Sequence, residues 1–245
     1  MKVFLFVLMV PILFFSCQKK NDKMGTASSA PVSIYFQNNI GGAPIVKNQY
    51  NYTNAAGNLY TVSLLKYYVT NAVLTKDDNT EIVLKNYDLI DAFDPTFSSI
   101  EIASLPNGNY KSMRFFLGVD VDSNHTLSHT GDLDAINGMI WSWSTGYIFF
   151  KHEGSYIKTM QDTGSLQYHL GTDAALATIN IPITLHVEGN AKKLNISFDL
   201  NKMYLNPVID FNDNDVHQST LPSDSKWISD MNTNSISAFS FVSEE

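Results

Sequence analysis

Residues Gly138–Gly154 read GMIWSWSTGYIFFKHEG, and the interpretation of the whole chain turns on them. The stretch holds two of the three tryptophans, a run of β-favouring residues, an internal glycine and a charged end. Read as a strand, Trp141 and Trp143 point to one face and Ser142 and Ser144 to the other. Gly146 allows a bulge or bend, after which Tyr147, Ile148, Phe149 and Phe150 continue into a core. Two readings follow. Either this is an aromatic strand of a β-sandwich core, or an indole flanks a buried metal or redox site.

Working outward, the flanks are also β-like. Val32–Gln37, Thr61–Leu74, Glu81–Leu84, Tyr87–Ile90, Ser98–Ala103 and Tyr110–Val121 precede the central stretch. Leu166–Leu170, Ala177–Glu188, Leu194–Leu200 and Phe239–Val242 follow it. Turn residues punctuate them: Ala56-Gly57-Asn58, Lys76-Asp77-Asp78-Asn79 and Leu105-Pro106-Asn107-Gly108. Many short strands with frequent turn signals predict an all-β, antiparallel β-sandwich in a single domain with long loops. One short helix is predicted over Ser223–Met231, with Ser223 or Asp224 as its cap and Trp227 and Ile228 turned inward.

The N-terminal residues belong to a different problem. Lys2 precedes an apolar run from Val3 to Phe15, then Ser16-Cys17. The run is shorter than the roughly 20 residues of a membrane span, and reads as a secretory signal over residues 1–16. A small residue before a cysteine resembles a bacterial lipobox, with cleavage before Cys17 and acylation of that residue. Cys17 is the single cysteine of the chain, so no disulfide is expected. Residues 17–31 read as the acylated cysteine and a flexible polar tether, and residues 32–245 as the folded domain. The expected place is the bacterial cell envelope, lipid-anchored and facing the periplasm or the outer membrane.

Composition excludes other classes. Sixteen Lys and Arg stand against 24 Asp and Glu, for a net charge of −8. Arg114 is the single arginine and the lysines form no block, which argues against nucleic-acid binding. No Walker loop, dinucleotide fingerprint, zincin helix or Gly-x-Ser-x-Gly elbow is present. No nucleophile constellation or acid–base carboxylate pair stands out, and the chain reads as a binding protein rather than an enzyme. Asp120-Val121-Asp122-Ser123-Asn124 begins like a calcium loop, but His125 stands where that loop needs glycine.

Histidine is the remaining chemistry. His125, His129, His152 and His169 lie near the central stretch in sequence; His186 and His217 are farther off. Imidazole is the commonest protein ligand for copper and zinc. The His125-x₃-His129 spacing serves a metal only on a helix, and Ser128, Thr130 and Gly131 indicate a loop instead.

Four segments together resemble one family. They are Leu65–Leu74 (LKYYVTNAVL), Phe115–Asp120 (FFLGVD) with Asn124-His125, the Gly138–Gly154 stretch, and Tyr168–Gly171 (YHLG). Their order and spacing resemble MbnP-like proteins, the secreted copper-binding proteins associated with methanobactin operons and with copper-repressed surface proteins of methane-oxidising bacteria. The resemblance implies a β-sandwich that holds one copper ion, Cu(I) or Cu(II), through histidines. Carried over by motif, His125 and His169 are the implied metal ligands. It also implies that a tryptophan beside the metal, Trp141 or Trp143, can be oxidised to kynurenine by a di-haem peroxidase partner of the MauG-like type. Many members carry four cysteines; here nothing beyond Cys17 is available, and the domain relies on its core. The expected role is copper acquisition, storage or sensing. The alternative is a surface β-sandwich lipoprotein that binds a glycan or a protein through exposed aromatics.

Overall fold

The computed structural model describes residues 28–126, 129–142, 146–159, 162–213 and 215–245. The expected signal segment, Cys17, most of the expected tether and Trp143 lie outside the described residues.

Two sheets face each other. In the larger, the strands run in the order Ala177–Val187, Gly108–Leu117, Leu64–Lys76, Gly146–Thr159, Asp162–Gly171 and Val216–Gln218. In the smaller, Phe239–Glu244, Lys192–Asp199 and Ser29–Ile40 lie side by side, and Ser99–Pro106 also pairs with Ser29–Ile40. The fold is the anticipated sandwich, mostly antiparallel. Two pairings depart from that plan. Ser29–Ile40 runs parallel to Lys192–Asp199, and Asp162–Gly171 runs parallel to Val216–Gln218. A parallel pair needs a long crossover. For the first pair that crossover contains most strands of the larger sheet, so no local turn signal marks it.

Alternation explains which faces meet. Ala177–Val187 buries every second residue along its whole length, as a strand with one wet face should. Between the sheets, Phe36, Phe198 and Phe239 of the smaller one meet Tyr67 and Phe115 of the larger. The contacts are edge-to-face or tilted, with ring centroids 4.8–6.5 Å apart. Such pairs add about 0.5–1.5 kcal/mol each beyond the area they bury. A second aromatic cluster joins Tyr60, Tyr156, Tyr168, Tyr204 and Phe211. With a single cysteine in the chain, no intrachain disulfide supports this core.

The central stretch differs from the single strand read in the sequence. Ile140–Ser142 and Gly146–Thr159 are two antiparallel strands, with Ser142 opposite Gly146 and Ile140 opposite Tyr147. The chain reverses here instead of continuing, so Trp141 does not lie in line with Tyr147. Gly146 permits the reversal: its φ is +75°, and a Cβ there would collide with the Asn124 side chain. Tyr147, Ile148, Phe149 and Phe150 are all buried, and a register shift lies between Ile148 and Phe150.

The helix spans Ser225–Ala238, about two turns beyond the predicted end. Trp227 and Ile228 do pack inward. Its later half is held by polar burial that hydrophobic spacing does not reveal. Asn234 is buried and donates to the carbonyls of Met203 and Pro207, 2.9 Å each. Asp224 occupies the cap position but makes no side-chain cap bond; its Oδ1 meets Nδ1 of His217 at 3.1 Å instead.

Candidate metal centre

Among the described residues, His169, Trp141 and the Asp173 partner of His125 lie at or just past the end of the Asp162–Gly171 strand. Leu166, Tyr168 and Leu170 of that strand point to the core. Alternation therefore puts His169 and Gly171 on the opposite face. Lys151 and Glu153 share that face on the neighbouring strand, where Lys151 pairs with His169.

His169 is nearly buried, with its Nε2 2.9 Å from Glu153 Oε1. A carboxylate only accepts, so Nε2 carries the hydrogen and Nδ1 the lone pair. Burial pushes the His169 pKa down. The Glu153 hydrogen bond opposes that shift, and the charge of Lys151 adds to it. The ring is therefore neutral at neutral pH, the form that binds metals.

Trp141 lies over Gly171. A Cβ on that glycine would stand 2.7 Å from the six-membered ring of the indole and 2.5 Å from the Tyr147 carbonyl. Trp141 is partly buried, and its Nε1–H is closed to solvent with no acceptor among the described residues. An unsatisfied buried donor costs about 1–3 kcal/mol.

His125 arrives from the long loop. Asp120 caps a single helical turn, Val121–Asn124, accepting from the Ser123 N–H at 3.2 Å. Tyr87 and Asn71 also donate to Asp120. His125 follows the turn as its C-cap and is exposed, with its Nε2 2.9 Å from Asp173 Oδ2. Asp173 lies two residues past Gly171. The segment from His169 to Asp173 thus carries one candidate ligand, the floor under Trp141, and the partner of the other candidate ligand.

His129 does not join this group; its Nε2 meets the Ser123 carbonyl at 3.3 Å. The helical turn ends at Asn124, with His125 as its C-cap, and residues 127 and 128 lie outside the described residues. His152, one residue from Glu153, faces the core and takes a hydrogen bond at Nδ1 from the Tyr204 hydroxyl, 2.6 Å away. Among the described residues no three His, Cys, Asp or Glu side chains form a metal-holding group. The two imidazoles nonetheless fit copper by donor type. Glu153 and Asp173 are the kind of carboxylate partners that orient metal-binding histidines.

A family model, MbnP, matches residues 29–223. The chain belongs to the MbnP family. Among solved structures, MbnP from Methylosinus trichosporium is similar with a TM-score of 0.51 and 16% sequence identity, covering 75% of this chain and 79% of that one. At that identity the likeness speaks for the fold. No curated protein matches the sequence. MbnP membership suggests a function related to methanobactin and copper.

Sequence reasoning missed Glu153, Asp173 and Asn124 as members of this group. Glu153 was legible in principle, because alternation sets it on the face of Lys151. Asp173 was not: it is 48 residues from His125, and a Gly-Thr-Asp segment reads as an ordinary turn.

Proposed function

We propose that the chain is a lipid-anchored extracytoplasmic copper-binding protein, acting in copper acquisition, storage or sensing rather than in catalysis. His125 and His169 hold the ion, each through Nδ1, while Asp173 and Glu153 hold the opposite nitrogen. Trp141 stands beside them as an apolar wall. It and Trp143 are the residues open to conversion to kynurenine by a di-haem peroxidase of the MauG-like type. Cys17 carries the anchor.

The observation that supports this reading most directly is the convergence on His169–Asp173, where one short segment touches both candidate histidines and Trp141. Carboxylate-oriented imidazoles beside a partly dry indole suit either copper oxidation state. The competing reading, a glycan platform, needs exposed aromatics. Trp141 and Trp227 are instead partly or fully buried.

The test is metal content with intact mass, on the full chain carrying Cys17→Ser and expressed with and without added copper. One copper per chain, lost in the His125→Ala, His169→Ala double variant, supports the proposal. A gain of two oxygens with loss of one carbon at Trp141 or Trp143, in the native host, supports the kynurenine step. Protein that keeps no copper after desalting refutes the copper reading.

A further inference from the structure

Asn124 is fully buried, and its side chain joins two separate parts of the chain. Its Oδ1 accepts from the Tyr147 N–H at 2.8 Å, at the start of the Gly146–Thr159 strand. Its Nδ2 donates to Asp173 Oδ1 at 2.9 Å. Its backbone N–H donates to the Asp120 carbonyl at 2.7 Å and so closes the helical turn. Gly146 lies against the same carboxamide so closely that no side chain fits there.

The neighbouring Asp173 is therefore held from two sides. One carboxylate oxygen takes the Asn124 amide and the other meets Nε2 of His125. His125 alone is an exposed ring on a loop, free to turn and to exchange tautomers. A carboxylate fixed at both oxygens removes that freedom.

We propose that Asn124 is a positioning residue: by orienting Asp173, it fixes His125 in the Nε2–H tautomer and leaves Nδ1 as its metal-binding atom. Through Gly146 and Tyr147 the same carboxamide ties that histidine to the strand pair that bears Trp141. The metal arm of this inference rests on the copper reading above; the tautomer arm does not.

The experiment has both arms. Nitrogen NMR of the imidazoles reads which nitrogen of His125 is protonated, in metal-free full chain carrying Cys17→Ser. In the wild-type background the proton is expected on Nε2. In Asn124→Ala and Asp173→Ala the two nitrogens should approach the averaged pattern of a free imidazole. Asp173→Ala removes a half-exposed side chain and keeps the test open if Asn124→Ala fails to fold. Cu(I) affinity, from competition with a chromogenic chelator, should fall about 10–100-fold in either variant, as for other outer partners of metal ligands.

A wild-type proton on Nδ1, or a variant tautomer unchanged from wild type, overturns the proposal. So does unchanged Cu(I) affinity in both variants of a chain whose wild type binds copper. The predicted tautomer shift in a protein that binds no copper at all upholds the brace and removes the copper reading instead.

Discussion

His152 offers a quantitative check on the packing of the core. It is fully buried between the sheets, beside Tyr60 and Tyr204. Burial pushes its pKa down to about 3, against a smaller upward pull from the Thr61 carbonyl. In the unfolded chain the ring titrates near its usual 6.5. The folded value is the lower one, so the unfolded chain binds the extra proton between the two. The stability is complete above about pH 6.5 and drains away as pH falls towards 3. At 1.36 kcal/mol per unit, the loss through this one group is about 2–3 kcal/mol by about pH 4.5. Carboxylates titrate over the same range, so the measurement is a difference. In His152→Asn the amide oxygen takes the place of Nδ1 opposite Tyr204 and nothing titrates. Urea unfolding followed by tryptophan fluorescence, at about pH 8 and about pH 4.5, gives four free energies. The pH-dependent loss should be about 2–3 kcal/mol smaller in the variant, whatever constant cost the substitution adds. Parallel losses, within about 0.5 kcal/mol, would mean that the ring reaches water or a charged partner, and the sandwich would not be packed as described.

Other predictions concern the site and its surroundings. Gly171→Ala drives a methyl into the Trp141 ring and the Tyr147 carbonyl. It should cost about 1–3 kcal/mol or more and change the Trp141 emission, read in the same urea titration. Asp88 is mostly buried, and its pKa is raised to about 6, by burial first and by Asp132 and Glu101 next. Because the folded value is the higher one, ionising Asp88 costs stability above about pH 6, and that cost disappears as pH falls towards 4. Asp88→Asn should therefore stabilise the protein by about 1–3 kcal/mol at neutral pH and have little effect near pH 4; thermal melts at both values check this. Cys17→Ser should move the protein from the membrane fraction to the soluble extracytoplasmic fraction, as immunoblots of fractionated cells would show.

Much of the architecture was legible because local chemistry and global fold agree. Ala177–Val187 alternates along its whole length, and Ala56-Gly57-Asn58 turns the short Tyr52–Thr53 and Leu59–Tyr60 hairpin as read. The Gly138–Gly154 stretch shows where reading along the chain stops working. Its residues favour β-structure throughout, so composition cannot separate one long strand from two that fold back at Gly146. The reversal depends on Asn124, which waits at a distance in sequence to fill the space a side chain on Gly146 would need.

By itself the sequence determined the β-class of the protein, many of its strand-by-strand hydrophobic faces and the family. These are properties of local periodicity, turn chemistry and motif order, all carried by near neighbours in the chain. Only the tertiary structure decided the parallel pairing of Ser29–Ile40 with Lys192–Asp199. It alone set Asp173 beside His125, Glu153 beside His169 and Trp141 over Gly171. Those arrangements come from contacts between residues far apart in sequence, whose geometry is set by how two sheets close on a shared aromatic core.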